Sequence, residues 1–359
     1  MRGPRLCLAA AALLLAQPCF AQPPALTQAQ MNAKAKAQNV PEIPFDADPN
    51  FLKMPKNLYM GEGIGVATNS KGHVFVYTRS QETRLFEFDP KGNFIRELGE
   101  GLYGFAFAHA VRVDSQDNIW AVDEGANMVI KFNPEGRVTM VLGRRPEAIE
   151  GRAPPPLPAG STPPDEPYLF DRPTDVGWDP AGNIFVTDGY GNSRVVKYDK
   201  NGRFIAQVGT KGSAPGQLNL PHTMAMDAKG NVYVGDRSNS RIQVFDNDLK
   251  LKAVYDQTGA PWAVCISPGP HQYLYTSNSN TDNNNAQIAA VTGEIYKMEL
   301  DGTILGKFGK AGKGPGEFSS AHELDCRNEN ELLVSEITSW RVQKISLHPQ
   351  AQGSARRLP

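Results

Sequence analysis

A single pattern, written six times, constrains this chain more than any other feature of it. Its clearest copy is residues 172–209, RPTDVGWDPAGNIFVTDGYGNSRVVKYDKNGRFIAQVG. Apolar alternation there marks four short strands, at 176–178, 184–186, 195–198 and 204–208. The turn-forming runs DPAGN, DGYGN and DKNG separate them. Residues 227–252 repeat the pattern almost word for word, and 69–99 and 114–143 follow the same plan. Looser copies occupy 261–309, interrupted after its second strand, and 321–347, which stops after its third.

A lone four-stranded meander leaves two apolar faces in water, so each unit needs neighbours. Four strands per unit at a period of about 40–50 residues predict a β-propeller rather than a sandwich. The last copy lacks a fourth strand, and residues 51–60 have no other assignment. An N-terminal strand that completes the last blade closes the ring and removes its open edges. The expectation is an all-β, six-bladed propeller over residues 49–347.

What lies outside the repeats is short. Arg2 and Arg5 precede the apolar run 6–15, and Cys19-Phe20-Ala21 ends in a small residue, so 1–21 read as a secretory signal peptide. Residues 22–48 read as a flexible leader and 348–359 as a tail. Export across a bacterial inner membrane follows, with the mature protein periplasmic or secreted. A formal net charge of −1 and the absence of a Lys/Arg run favour no nucleic-acid partner. Nothing after the signal is long and apolar enough to span a bilayer. A monomer that takes a small-molecule or peptide substrate is expected. Export implies an oxidising compartment, yet cleavage leaves only Cys265 and Cys326. The repeat alignment sets these one register step apart on the innermost strands of neighbouring blades, hence on opposite pleats. Buried free thiols are the expectation.

Aligning the copies on their shared Asp/Asn-x-x-Gly turn puts one position of each innermost strand in a column: Ile64, His109, Thr174, His222, Trp262, His322. Histidine falls in alternate blades, so the three imidazoles stand about 120° apart around the axis of a six-bladed ring. They form a trigonal set with an open axial position. A catalytic zinc is held in that way, by three protein ligands plus water or substrate. For a single histidine the plainer reading is one that satisfies a strand end. Three of the chain's 6 histidines in strict alternation reverse that balance. His73, His271 and His348 fall outside the column and read as surface residues.

A second column closes the second strand of each blade. Arg79, Glu124, Gly189-Tyr190 and Arg237 follow Thr78, Asp123, Asp188 and Asp236. The start of the first strand and the turn between the second and third lie on one face of a blade, so these side chains are expected around the metal. Arg79 and Arg237 can hold a carboxylate by paired hydrogen bonds. Tyr190 can carry a proton if a cation lowers its pKa. The plainer reading of such an arginine is a pair with a neighbouring aspartate, and for Arg237 the two readings stand level. Arg194 and Arg241, in matching NSR triplets, read as structural. The insertions 152–167 and 278–290 join strands on the same face and are expected to rim the site.

These residues resemble a known family. RPTDVGWDPAGNIFVTDGYGNSRVVKYDKNGRF and LNLPHTMAMDAKGNVYVGDRSNSRIQVF resemble the peptidyl-α-hydroxyglycine α-amidating lyase branch of the NHL-repeat propellers. The likeness runs from about Gly61 to Leu347 and is weakest in blade 5. It implies that His109, His222 and His322 bind zinc, that Tyr190 is the catalytic base, and that Arg79 and Arg237 frame the substrate. It also implies a structural calcium held by the carbonyls of Val66 and Val111 and by the carboxylate of Glu323. The activity implied is a zinc-dependent carbon–nitrogen lyase that splits an N-acyl or peptidyl α-hydroxyglycine into an amide and glyoxylate. There are departures: Ser320-Ala321 replace the family's Met-Pro before the third histidine, and Glu323 replaces an aspartate. A metal-dependent lactone or ester hydrolase, and a non-enzymatic propeller that binds a protein or glycan, are the alternatives.

Overall fold

The computed structural model describes residues 37, 39–145, 158–161, 166–279 and 292–348. The segment read as a signal peptide, most of the leader and tail, and the greater part of both insertions lie outside the described residues. Six four-stranded antiparallel sheets make up the rest, in the order of the repeats. Their innermost strands are Glu62–Thr68, Ala108–Val113, Asp175–Trp178, Pro221–Met226, Pro261–Ile266 and Ala321–Asn328. The six-bladed ring read from the repeats is the fold.

The turn chemistry behind the repeat is local. In blade 3, Asp179 Oδ1 accepts the N–H groups of Ala181 (3.0 Å) and Asn183 (2.9 Å), and Gly182 takes the left-handed φ of 83° that the reversal requires. The same aspartate geometry recurs at Asp114 and Asp227. Alternating strands then bury one face against each neighbouring blade, and the apolar clusters lie between blades, not within them.

Ring closure comes earlier in the chain than expected. Blade 6 runs Ala321–Asn328, Glu331–Glu336, Arg341–Leu347, and its outer strand is Phe45–Asp48, with Phe45 opposite Leu347. That strand lies within what reads as leader, whereas residues 51–60 form no strand of the blade. Phe51, Leu52, Met54, Leu58 and Met60 instead cover an apolar cluster shared by blades 1 and 6, built around Val66, Phe86, Leu333 and Val342. The preceding residues are tied down as well: Ala37 N–H bonds to Gln257 O, and Ile43 N–H to Lys307 O. The closing strand is expected at 51–60 because that segment has no other assignment, but its apolar side chains cover that seam.

Arg194 and Arg241 have the structural part read for them. Arg194 pairs with Asp188 at 2.9 Å and donates to the carbonyls of Glu166 and Leu169. Arg241 pairs with Asp236 at 2.7 Å and holds the carbonyls of Ser213, Ala214 and Gln217. Arg341 repeats the device in blade 6 with Glu336. Each ties the connection between blades to the ring.

Cys265 and Cys326 form a disulfide, with Cα atoms 6.1 Å apart, where the alignment predicts free thiols. The register of blade 6 shifts between Asp325 and Asn328, so Cys326 sits at an irregularity that re-aims its side chain. Innermost strands also converge toward the axis, which brings the pair within the roughly 7 Å a disulfide needs. Among the described residues no helix is long and apolar enough to cross a membrane.

Candidate metal centre

Each residue of the histidine column that lies within a strand sits where ladder register slips. The pairing of the first and second strands shifts between Ala108 and Ala110, between Pro221 and Thr223, and between Ala321 and Glu323, so His109, His222 and His322 are the bulged residues. Ile64 and Trp262 lie in equivalent shifts. A bulge frees one residue from the ladder and turns its side chain. Here it turns three imidazoles onto the axis, with ring centroids 4.6, 4.9 and 4.9 Å apart.

The other three column positions orient them. His109 Nδ1 donates to Thr174 O (2.6 Å), His222 Nδ1 to Trp262 O (2.8 Å) and His322 Nδ1 to Ile64 O (2.8 Å). Every histidine thus rests on the column carbonyl of the next blade. A carbonyl only accepts, so Nδ1 carries the proton and Nε2 keeps its lone pair. One ligand atom from each ring lies within 4.8 Å of the others. His109 Nε2 and His222 Nε2 are buried and have no hydrogen-bond partner. Burial, and next the neighbouring His322, hold His109 well below the usual imidazole pKa. Burial and next His109 do the same for His222. Burial, and then the charge of Arg79, push His322 down to about 3. Three neutral imidazoles with converging bare nitrogens fit a metal ion.

The expected rim residues gather around this centre. The Tyr190 ring lies 5.5 Å from that of His109 and 6.1 Å from that of His222. Arg237 stacks its guanidinium 4.2 Å from the Trp262 ring, which in turn packs on His222 and His322. Arg79 lies 3.9 Å over Phe107, donates to Glu62 Oε2 (2.9 Å) and Ala108 O (3.2 Å), and approaches Glu124 at 3.5 Å. His73, His271 and His348 lie elsewhere, each beside an acid: Glu87, Glu299 and Asp46. Pro261 pairs with Asn278, so the insertion that starts there leaves the blade at the level of Trp262.

Two rim residues had no assigned part. Glu124 Oε2 lies 3.7 Å from His109 Nε2 and has no hydrogen-bond partner. Burial raises its pKa to about 7 against the opposing charge of Arg79. Arg172 places its guanidinium 5.4 Å from the Tyr190 ring. Its signal was available: a charged residue where the matching positions of blades 2 and 4 carry Phe107 and Leu220.

Val66, Val111 and Glu323 do meet, through amide hydrogens. Glu323 Oε2 accepts the N–H groups of Val66 (3.1 Å) and Val111 (3.2 Å), while its Oε1 lies 2.9 Å from Arg112 Nε.

Six antiparallel blades around three bare imidazole nitrogens define a β-propeller with a candidate metal centre on its axis. An NHL-repeat model matches residues 170–198 and 218–245, which are blades 3 and 4. Peptidyl-glycine alpha-amidating monooxygenase A of Xenopus laevis is 31% identical over 77% of this chain and 29% of its own length. A probable peptidyl-alpha-hydroxyglycine alpha-amidating lyase of Caenorhabditis elegans is 25% identical over 80% of this chain and 83% of its own. This chain spans about a third or less of the length of the monooxygenase relatives. Among solved structures, virginiamycin B lyase from Staphylococcus aureus superposes with a TM-score of 0.56 at 12% identity, over 85% of this chain and 100% of its own. That likeness speaks to the fold alone. The chain is an NHL-repeat propeller similar to the peptidyl-α-hydroxyglycine α-amidating lyases.

Proposed function

We propose that this chain is an exported zinc-dependent lyase that cleaves the C–N bond of an N-acyl or peptidyl α-hydroxyglycine. The observation that carries the reading is the trio of imidazoles, each fixed by a carbonyl with its Nε2 bare, beside a tyrosine and two arginines stacked on aromatic rings. The name of the worm relative, a probable peptidyl-alpha-hydroxyglycine alpha-amidating lyase, supports it.

His109, His222 and His322 would hold the zinc, which would supply Lewis acidity and make a substrate hydroxyl more acidic. Tyr190, as phenolate, takes the hydroxyl proton. The carbinol C–N bond breaks, the proton passes to the departing amide nitrogen, and an amide and glyoxylate leave. No water is consumed. Arg79 and Arg237 hold the substrate carboxylate, each oriented by the ring beneath it. The buried imidazoles and Trp262 keep bulk water from the axis.

Glu124 favours a second reading. A carboxylate beside a metal-ligating histidine is what a hydrolase of esters or lactones uses to activate water. One experiment separates the two: zinc content of the purified protein, with glyoxylate release from an α-hydroxyglycyl peptide set against hydrolysis of a lactone. Glyoxylate release at about one zinc per chain upholds the lyase. Lactone turnover without glyoxylate overturns it.

A further inference from the structure

We propose that the guanidinium of Arg112 stands where the family resemblance implies a structural calcium ion, and that this chain holds its axis together without calcium. The inference concerns Val66, Val111 and Glu323, the residues expected to hold that ion.

The first ground is the carboxylate. A calcium ligand set there requires Glu323 to share a cation with backbone oxygens, at about 2.3–2.6 Å. Glu323 instead carries its Oε2 to the amide hydrogens of Val66 and Val111. The methylene it has beyond the family's aspartate gives it that reach.

The second ground is charge. Arg112, with a side chain 14% exposed, places Nε 2.9 Å from Glu323 Oε1. It also forms a fork on Asp175, with Nε to Oδ1 at 2.9 Å and Nη2 to Oδ2 at 2.7 Å. Asp175 takes further bonds from Val176 N, Met224 N and Thr223 Oγ1. A divalent ion at Glu323 would meet a fixed positive charge at contact distance.

The third ground is what the arrangement ties together. Arg112 comes from blade 2, Asp175 from blade 3 and Thr223 from blade 4. Thr223 Oγ1 accepts Val264 N–H of blade 5 (3.2 Å), Arg112 Nη1 donates to Leu324 O of blade 6 (3.3 Å), and Glu323 reaches Val66 of blade 1. One side chain organises a network that touches the innermost strand of every blade. A multivalent cation on the axis would do the same work.

The test is read without substrate, so it stands or falls apart from the activity proposed above. Zinc-loaded full-length protein is dialysed into calcium-free buffer, its calcium and zinc contents are measured, and Tm is followed as calcium is added to roughly millimolar, the range of weak sites. The expected result is zinc without calcium and an unmoved Tm. Arg112→Met keeps the apolar stem and leaves two carboxylates uncompensated, so its Tm should fall and then rise again with added calcium. One calcium retained per wild-type chain, or a wild-type Tm that climbs with micromolar calcium, overturns the proposal. So does an Arg112→Met protein whose Tm is unchanged or unresponsive to calcium. If that variant does not fold, the wild-type titration decides alone.

Discussion

Glu124 Oε2 lies 3.7 Å from His109 Nε2, while the other oxygen of the same carboxylate lies 3.5 Å from Arg79, so one partly buried acid joins the histidine cluster to the arginine beside it. With Glu62 on its far side, Arg79 is flanked by two carboxylates before any substrate arrives. On the proposed lyase reading, an incoming carboxylate would displace or share those partners, and Arg237, stacked on Trp262, would approach it from a second side.

Glu124 gives a pH signature in the zinc-free protein. Burial raises its folded pKa from the ordinary 4.5 to about 7, so the folded state holds this proton more tightly than the unfolded chain does. Its contribution is fully present below about pH 4.5 and is lost as pH rises through about 7. Glu124→Gln stays neutral throughout. Its unfolding free energy relative to wild type should therefore grow by up to roughly 3 kcal/mol across that window, read by urea denaturation. A pH-independent difference would show that the carboxylate titrates normally.

His222→Ala should take zinc from about one per chain to a small fraction after dialysis against a chelator, since two imidazoles seldom retain it. Circular dichroism should stay that of the wild-type propeller, because the bond lost to Trp262 O contributes only about 1 kcal/mol. Full zinc occupancy in the variant would sink the trigonal site.

Tyr190→Phe should keep zinc and lower kcat for glyoxylate release by roughly 10²–10⁴-fold, the scale of a positioned proton carrier. The aromatic ring against His109 is preserved, so packing is a control built into the substitution. Unchanged turnover would reduce Tyr190 to a wall of the pocket.

Reduction should be needed before Cys265 and Cys326 accept alkylation in the unfolded protein, and the mass should then rise by two adducts. Replacing both with serine should cost about 2–4 kcal/mol of stability, since the bridge closes a loop of 61 residues. Alkylation without reductant would mean that the thiols are free.

The sequence made the ring legible because its signals are local: an aspartate turn, an alternating strand, and the same again. The histidine column was legible for a related reason, since three residues repeat at one offset from that turn. What escaped depends on contacts between blades. The alignment assumes an unbroken ladder, and the shift between Asp325 and Asn328 overturns the pleat assigned to Cys326. Arg112, Asp175 and Thr223 belong to three different repeats, so no single copy announces their meeting. Phe45–Asp48 is too short and too charged to stand out from the segment around it, and only the unpaired edge of Arg341–Leu347 gives it a place.

That pairing fixes an order of events during synthesis. The strand that seals the ring leaves the ribosome before any blade exists, and its partner, which ends at Leu347, emerges only after the other five blades. Until then the growing chain is an open arc of finished blades with an unclaimed edge at its newest end and an idle strand at its oldest. A chain stalled short of blade 6 therefore offers that strand to whichever edge is nearest, including the edge of another unfinished copy.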